Sequence, residues 1–268
     1  MSLLKTVFGC DAPVALVTGS GAPRVGRAIA GELARHGCRI ALHANTSVAE
    51  ATEVSEQLAE RFDTESIITT GALEQDDVPD RLVGEAVDAF GRLDILVNSA
   101  AIWRPTAMDQ VTPAELRHYF DVNTIASFMC ARAAATVMTS QPTGGSIVNL
   151  GDWATVRPYL DHSAYFPSKG AIDVMTRSLA VEFAMRNAAI RVNCVKPGPV
   201  LLADEVPDEK RRKLCASTLT GRIGTAEHVA HAVRFLCENT FINGVCLPVD
   251  GGRSIYSPDG LQAGENTG

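Results

Sequence analysis

The chain has 268 residues, of which 46% are hydrophobic and 21% are charged. This balance is typical of soluble globular proteins and excludes a largely disordered chain. Lys and Arg number 24 against 31 Asp and Glu, giving a net charge of −7 without a basic stripe, so a nucleic-acid partner is not expected. The best apolar stretch, 128–138, contains Arg132 and is too short for a membrane helix.

Seven cysteines are scattered along the chain, at positions 10, 38, 130, 194, 215, 237 and 246. No two form a Cys-x-x-Cys pair, so no metal site is predicted. Cys38, Cys130, Cys194 and Cys246 have apolar neighbours, as small core residues do. An odd, unspaced set of cysteines predicts a reducing compartment, the cytoplasm, and residues 1–13 contain no convincing signal peptide.

Short apolar runs alternate with stretches of helical period along most of the chain. The predicted strands cover 14–18, 39–43, 66–70, 94–97, 146–150, 190–195 and 245–249. The predicted helices cover 25–36, 48–61, 80–90, 112–138, 163–185 and 225–237. This alternation predicts an α/β fold with a mostly parallel sheet of about seven strands and helices on both faces.

No linker, repeat or low-complexity block interrupts this pattern, so residues 1–268 are predicted to form a single domain with its core at about 14–252. The polar segment 197–222 breaks the alternation. It is predicted to be a loop that covers a substrate, with a plain surface insertion as the alternative. The tail 253–268 is rich in Gly, Ser, Asn and Pro and is predicted to fray.

A glycine-rich turn follows the first predicted strand and precedes the first long helix. It contains Gly19, Gly21 and Gly26, with Arg24 and Val25 between the last two. Glycines in this position let backbone amides approach a pyrophosphate, which binds at the N-terminus of the helix. The turn therefore predicts a dinucleotide site, and a turn that only joins two elements is the alternative.

The end of the second predicted strand indicates which dinucleotide binds. A site for NAD usually has an acidic residue there, which holds the ribose hydroxyls. This chain has His43, Asn45, Thr46 and Ser47 instead, and such groups can hydrogen-bond a 2′-phosphate that a carboxylate would repel. With Arg24 adding positive charge, the sequence favours NADP; capping of the next helix is the alternative role of Asn45 and Ser47.

Tyr165 and Lys169 are separated by one helical turn, so their side chains share a helix face. A Tyr with its ordinary pKa of about 10 is a weak proton donor near neutrality. A nearby ammonium group lowers that pKa, so Lys169 is expected to make Tyr165 a working acid. By itself such a pair is more often a solvated helix face.

The pair occurs with further motifs in a fixed order, namely the glycine-rich turn, Asn98-Ser99-Ala100, Asn123, Pro197-Gly198 and Asp250-Gly251-Gly252. The chain from about 14 to 252 thereby resembles the short-chain dehydrogenase/reductase family. The resemblance implies one doubly wound Rossmann domain, assembled as a homotetramer or homodimer. It also implies hydride transfer to or from a nicotinamide cofactor.

The resemblance also implies roles for matched residues. Tyr165 would be the proton donor, and Lys169 would bond the nicotinamide ribose. Asn123 would hold a proton-relay water. Asn98 and Ala100 would lie beside the cofactor, and Pro197-Gly198 would flank the nicotinamide.

Position 152 departs from the family, which commonly has Ser thirteen residues before the Tyr; here it is Asp152. An ionised carboxylate accepts hydrogen bonds and cannot donate one to a substrate carbonyl. It would also raise the pKa of a nearby Tyr165. A substrate with N–H donors, or with a ring nitrogen to be protonated, fits better than a simple ketone. The alternative is that Asp152 points to solvent.

The Asp-Tyr-Lys set resembles pteridine reductases and the related dihydromonapterin reductases. Arg24 and His43 match that branch, Trp103 stands where the branch stacks its pterin ring, and segment 199–207, with Leu201, resembles its substrate loop. The implied reaction is NADPH-dependent reduction of a C=N bond in a dihydropterin.

The chain also departs from that branch. Its glycine-rich turn is one residue longer, and Ala72 replaces an adenine-contacting Asp, which leaves Leu73 to contact the adenine. Thr46 replaces a basic residue, and Ala101 and Val200 replace serines. The alternatives are a reductase of a ketone, a quinone or a 3-oxoacyl thioester, and a non-catalytic NADP-binding sensor.

Overall fold

Seven parallel strands form one sheet in the part of the chain that the computed structural model describes, residues 2–201 and 206–256. The strands are β1 (Val14–Val17), β2 (Arg39–Ala44), β3 (Ser66–Thr70), β4 (Ile95–Asn98), β5 (Gly145–Leu150), β6 (Ile190–Pro197) and β7 (Cys246–Val249). Their order is β3-β2-β1-β4-β5-β6-β7, and every neighbouring pair is parallel. The predicted doubly wound α/β fold is confirmed.

Helices connect the strands and cover both faces of the sheet. They are α1 (Leu3–Phe8), α2 (Val25–Arg35), α3 (Val48–Phe62), α4 (Val78–Phe90), α5 (Pro113–Phe120), α6 (Ala126–Thr139), α7 (Tyr165–Ala184), α8 (Asp208–Ala216) and α9 (Ala226–Glu238). Among the described helices, none has the length and apolar character needed to cross a membrane.

The two faces of the sheet carry separate core clusters. On β1, Val14 and Leu16 pack with side chains of α4, α6 and α7, whereas Ala15 and Val17 pack with side chains of α1, α2, α3 and α9. Because both faces of β1 are buried, its sequence is continuously apolar rather than alternating.

The periodicity misses two helices. α1 has only six residues, too few for a periodic signal, yet Leu4 and Phe8 are fully buried in the core. α8 lies inside segment 197–222, which the sequence predicts to be a loop, and it has no buried residue. Without an apolar stripe, α8 could not be recognised from the sequence. Residues 202–205 of this segment, and 257–268 of the predicted fraying tail, lie outside the described residues.

The beginnings of β1 and β4 are joined by the fully buried carboxylate of Asp94. Its Oδ2 accepts hydrogen bonds from the backbone N–H of Val14 at 2.9 Å and from Arg92 Nε at 2.8 Å. Arg92 Nη2 donates to Asp94 Oδ1 at 2.6 Å and to the carbonyl of Phe8 at 3.0 Å. The pair therefore holds two central strands and α1 together.

Replacing Asp94 by Ala is expected to lower the free energy of unfolding by about 2–4 kcal/mol, because it leaves a buried N–H and a partly buried guanidinium without their acceptor. The matched control is Asp80→Ala, which removes the exposed ion pair with Arg132 and should cost less than about 1 kcal/mol. Urea unfolding of both variants checks the difference. Equal losses would contradict the assignment.

Candidate active site

The carboxyl ends of β1 and β4 are adjacent because the strand order reverses between them. Such a switch point is where open α/β sheets bind their ligands. Thr18, immediately after β1, accepts hydrogen bonds at its Oγ1 from the backbone N–H groups of Ser99 at 2.9 Å and Ala100 at 3.0 Å. One side chain thus fixes the spacing of the two loops that border the site.

The glycine-rich turn packs so closely that side chains are excluded. Gly19 has a φ of 65°, and a Cβ on it would lie 2.9 Å from the Cα of Ala100. A Cβ on Gly26 would lie 2.6 Å from the carbonyl oxygen of Gly19, and one on Gly21 would lie 2.8 Å from that of Ser47. The turn leads into the N-terminus of α2, which begins at Val25, an arrangement that suits a phosphate group.

His43 does not have the role that the sequence suggests. Its side chain is only 1% exposed, its Nδ1 accepts from the backbone N–H of Gly19 at 3.1 Å, and its Nε2 donates to the carbonyl of Gly71 at 2.9 Å. Burial lowers the pKa of His43, so the imidazole is neutral. Because both ring nitrogens are engaged, the expectation that His43 bonds a cofactor phosphate is wrong. His43 instead connects the glycine-rich turn to the end of β3.

The other polar residues at the end of β2 are accessible. Asn45 and Thr46 are exposed and Ser47 is partly exposed. Ser47 occupies the N-cap position of α3, but its side chain makes no cap hydrogen bond, so the capping alternative is not supported for Ser47. Arg24 is exposed, and no hydrogen bond or ion pair of its side chain is found among the described residues.

Two more residues complete this end of the site. Arg27, which the sequence analysis did not single out, donates from Nη2 to the carbonyl of Gly21 at 2.6 Å and supports the long turn. Leu73 was expected to contact adenine, but its side chain is buried in the core cluster beneath α4. Only its backbone remains available for such a contact.

Asp152 and Tyr165 form the central polar contact. The Tyr165 hydroxyl donates to Asp152 Oδ2 at 2.7 Å, and Asp152 Oδ1 accepts from the backbone N–H of Ala154 at 2.8 Å. The second bond caps the 3₁₀ turn Trp153–Thr155 and orients the carboxylate. The alternative in which Asp152 points to solvent is therefore wrong.

The electrostatics of Tyr165 differ from the expectation. Burial first, and then the charge and hydrogen bond of Asp152, raise the pKa of Tyr165 well above its ordinary value. The expected raising effect of Asp152 is confirmed, whereas Lys169 is not among the groups that shift the pKa of Tyr165 most. Tyr165 is thus a neutral hydroxyl held against a carboxylate.

Lys169 is buried beside these groups. Its Nζ donates to the carbonyl of Leu150, at the end of β5, at 2.7 Å. Burial lowers the pKa of Lys169, and the charge of Asp152 opposes that effect. No other hydrogen bond of its ammonium group is found within the described ranges, so its remaining donors can hold a ligand such as a ribose hydroxyl.

Asn123 lies in a π-helical segment, Asp121–Ile125, that interrupts the helix predicted over 112–138. Its side chain is fully buried, and both of its polar atoms make hydrogen bonds. Oδ1 accepts from the N–H of Ile102 at 2.9 Å, and Nδ2 donates to the carbonyl of Ile102 at 3.2 Å and to Ser168 Oγ at 3.0 Å. The side chain therefore joins the loop after β4 to α7. The relay-water role stays a prediction and would have to use the backbone carbonyl, which accepts from Ser127 Oγ.

Asn98 is buried at the end of β4. Its Nδ2 donates to Asn149 Oδ1 at 2.9 Å and to the carbonyl of Ser127 at 3.0 Å, but its Oδ1 has no hydrogen-bond partner among the described residues. A buried acceptor without a partner costs about 1–3 kcal/mol. A donor from a bound ligand would relieve that cost, which fits the predicted place of Asn98 beside a cofactor.

Aromatic rings form one wall of the site. Trp103 stacks on His162 with ring centroids 4.7 Å apart, and its Nε1 donates to the Tyr159 hydroxyl at 3.2 Å. Trp103 remains 52% exposed, so its other face can receive a flat ring. The sequence analysis missed the role of Tyr159 in holding this ring.

Cationic residues lie at the rim. The Arg253 guanidinium lies 4.5 Å from the centroid of the Trp153 ring, and Arg157 donates to the carbonyl of Arg253 at 2.7 Å. On the far side, β6 ends at Pro197, and Gly198 donates its N–H to the carbonyl of Val249 at 2.9 Å. Leu201 is half exposed.

Comparison with known proteins finds a family model, described as enoyl-(acyl carrier protein) reductase, that matches residues 22–254. Pteridine reductase 1 of Leishmania tarentolae is 34% identical, with 91% of this chain and 97% of the relative covered. A chloroplastic NADPH-dependent aldehyde reductase-like protein of Arabidopsis thaliana is 33% identical, with 89% and 93% covered. A crystal structure from Sinorhizobium meliloti 1021, assigned to the short-chain alcohol dehydrogenases, has a TM-score of 0.84 and 28% identity, with 92% and 98% covered.

The neutral state of buried His43 predicts a pH dependence of stability. Because the folded pKa of His43 is below the ordinary value of about 6.5, the unfolded chain binds a proton before the folded chain does. Stability should therefore fall as the pH drops below about 6.5 and level off below the folded pKa. His43→Asn, which keeps an acceptor for Gly19, should reduce this slope. Urea unfolding between about pH 5 and 7.5 measures it.

The control for this experiment is His118→Asn, which replaces an exposed histidine. It should retain the wild-type slope. If His43→Asn and the wild type had the same slope, the structural account of His43 would fail.

Proposed function

The chain belongs to the short-chain dehydrogenase/reductase family and is an oxidoreductase that uses a nicotinamide cofactor. From this premise we propose that it uses NADPH to reduce a C=N bond of a pterin-like heterocycle, converting a dihydropterin to a tetrahydropterin. The observation that carries the proposal is the 2.7 Å hydrogen bond from Tyr165 to Asp152. A cytoplasmic enzyme that assembles as a homotetramer or homodimer is part of the proposal.

Asp152 determines what kind of substrate fits. A carboxylate offers only acceptors, so it repels a substrate carbonyl oxygen and attracts N–H groups. Pterin rings carry such donors on the pyrimidine part and a reducible C=N bond in the other ring. The identity of 34% with a pteridine reductase supports this substrate class.

The exposed face of Trp103 also supports a pterin-like substrate. Trp103 is held by His162 and Tyr159, which fix its ring plane. A flat heterocycle gains stacking energy on the exposed face of Trp103 without ordering any further side chain. The predicted substrate contact of Leu201 belongs to this proposal.

NADPH is favoured over NADH by the end of β2. Asn45, Thr46 and Ser47 carry no negative charge. Arg24 of the glycine-rich turn is exposed, and its guanidinium has no partner among the described residues. Backbone N–H groups of the turn containing Gly19 and Gly26 would hold the pyrophosphate. Asn98 Oδ1 would accept from the bound cofactor, with Ala100, Pro197 and Gly198 beside it.

The bound cofactor supplies the hydride. Tyr165 keeps its proton through the neutral pH range, because burial and Asp152 oppose its ionisation. Tyr165 or Asp152, directly or through a water, delivers the proton to a ring nitrogen. Lys169, which interacts with Asp152, offsets the charge that this transfer leaves on the pair and holds the ribose with its remaining donors.

The exposed apolar residues of α6 and α7 support the proposed assembly. Phe128 is 42% exposed, Val174 63% and Val181 65%. Apolar side chains exposed on neighbouring helices are typical of surfaces that a second subunit covers.

Asp152→Ser tests the proposed substrate class. It should lower kcat/KM for a dihydropterin by on the order of 100-fold, since it removes the acceptor and the proton-delivery partner. The Kd for NADPH should change less than about threefold, and reduction of a simple ketone should not fall. Steady-state kinetics and fluorescence titration measure these values.

Asp109→Ser is the matched control, because Asp109 is an exposed acid outside the site. It should leave pterin kinetics unchanged. Unaltered dihydropterin turnover in Asp152→Ser would refute the role assigned to Asp152.

Thr46→Glu tests the cofactor assignment. A carboxylate at the end of β2 should raise the Kd for NADPH by about tenfold or more, or about 1.4 kcal/mol, and leave the Kd for NADH nearly unchanged. Thr46→Gln has the same size without the charge and should bind NADPH as the wild type does. If Glu and Gln weakened NADPH binding equally, charge at this position would not select the cofactor.

A further inference from the structure

Two cysteines far apart in sequence meet on neighbouring strands. Cys194 on β6 and Cys246 on β7 are direct partners in the parallel register. Direct partners in parallel strands point to the same face of the sheet, with backbones about 4.8 Å apart. This separation lies within the range of Cα distances that a disulfide spans, about 4.4–6.8 Å.

The surroundings of the two thiols are charged. The Sγ atoms of Cys194 and Cys246 and a carboxylate oxygen of Asp173 all lie within 4.8 Å of one another. Arg177 Nη1 lies 3.9 Å from Cys246 Sγ, and Lys196 Nζ donates to Asp173 Oδ2 at 2.6 Å. The sequence missed this cluster because α7, β6 and β7 each contribute to it.

The two thiols have different properties. A hydrogen bond from Cys194 lowers the pKa of Cys246, and the positive charges of Arg177 and Lys196 also lower it. Burial and the charge of Asp173 oppose these effects, but the net shift is downward. The same hydrogen bond and burial raise the pKa of Cys194. Cys246 is partly exposed and Cys194 is buried. A partly exposed thiol of lowered pKa beside a buried thiol of raised pKa is typical of redox-sensitive pairs.

We propose that Cys194 and Cys246 form an oxidisable dithiol, a modification site at which a hydroperoxide produces an intrachain disulfide. The Cys246 thiolate attacks the hydroperoxide, the O–O bond breaks, and the departing alkoxide takes a proton from water, leaving a sulfenic acid on Cys246. The Cys194 sulfur then attacks the Cys246 sulfur; the S–S bond forms, the S–O bond breaks, and hydroxide leaves with the Cys194 proton as water. In sum, two thiols and one hydroperoxide give a disulfide, an alcohol and water.

The pair of cysteines lies against the chain segment that leads into Asp152. A Cβ on Gly151, which precedes Asp152, would be only 2.9 Å from Cys194 Sγ. The modification site is therefore in contact with the segment that carries the active-site carboxylate.

The test uses the purified, reduced full-length chain and tert-butyl hydroperoxide. Remaining thiols are alkylated after denaturation, and peptides are analysed by mass spectrometry with and without dithiothreitol. A dithiothreitol-sensitive link between the peptides of Cys194 and Cys246 is expected, with Cys215 still alkylated. Cys194→Ser should stop at a sulfenic acid on Cys246, which dimedone traps.

Cys130→Ser, which removes a buried cysteine of α6, is the matched control and should keep the link. Circular dichroism verifies the fold of each variant, and the wild-type result alone suffices if a variant fails to fold. Alkylation of both Cys194 and Cys246 after peroxide treatment would overturn the proposal. A faster reaction of the hydroperoxide at Cys215 would also overturn it. The same holds if added Zn²⁺ protected the pair from alkylation without any oxidation of the two thiols. None of these readouts depends on the substrate.

Discussion

The shared carboxyl edge of the parallel sheet is the constraint on which the site depends. Every strand ends there, so backbone groups that no longer pair with a neighbouring strand must find other partners. Thr18 and His43 supply them, each by joining loops that follow different strands. The same side chains that satisfy the backbone thereby fix the shape of the glycine-rich turn and of the loop opposite it.

The hydrogen bond between Tyr165 and Asp152 has two consequences. It fixes both side chains, since Ala154 holds the second carboxylate oxygen. It also makes ionisation of Tyr165 unfavourable. A hydroxyl at position 152 would donate to a carbonyl; the carboxylate instead makes this end of the site an acceptor for N–H groups. In the proposed function, this one residue sets the class of substrate that the fold accommodates.

Much of this arrangement can be predicted from the sequence. The apolar runs predict the strands because helices bury both faces of the sheet, and the spacing of Tyr165 and Lys169 places them on one helix face. Counting back from Tyr165 by the interval that the family resemblance supplies identifies Asp152. Each of these predictions depends on local periodicity or on a fixed interval along the chain.

Other features could not be predicted because they depend on contacts between distant segments. The role of His43 follows from its burial between Gly19 and Gly71. Asn123, in the π-helical segment, contacts Ile102 and Ser168, and no helical period encodes these contacts. Exposed α8 has no apolar stripe. The pairing of Cys194 with Cys246 becomes visible only once the order of β6 and β7 is known.

The most direct measurement is oxidation of NADPH by the purified protein with dihydrobiopterin as substrate, with NADH and a panel of simple ketones in parallel. The account predicts turnover of dihydrobiopterin with NADPH, little with NADH, and little ketone reduction. Tight binding of NADPH without pterin turnover, combined with efficient ketone reduction, would contradict the role given to Asp152 while leaving the fold and the cofactor site intact.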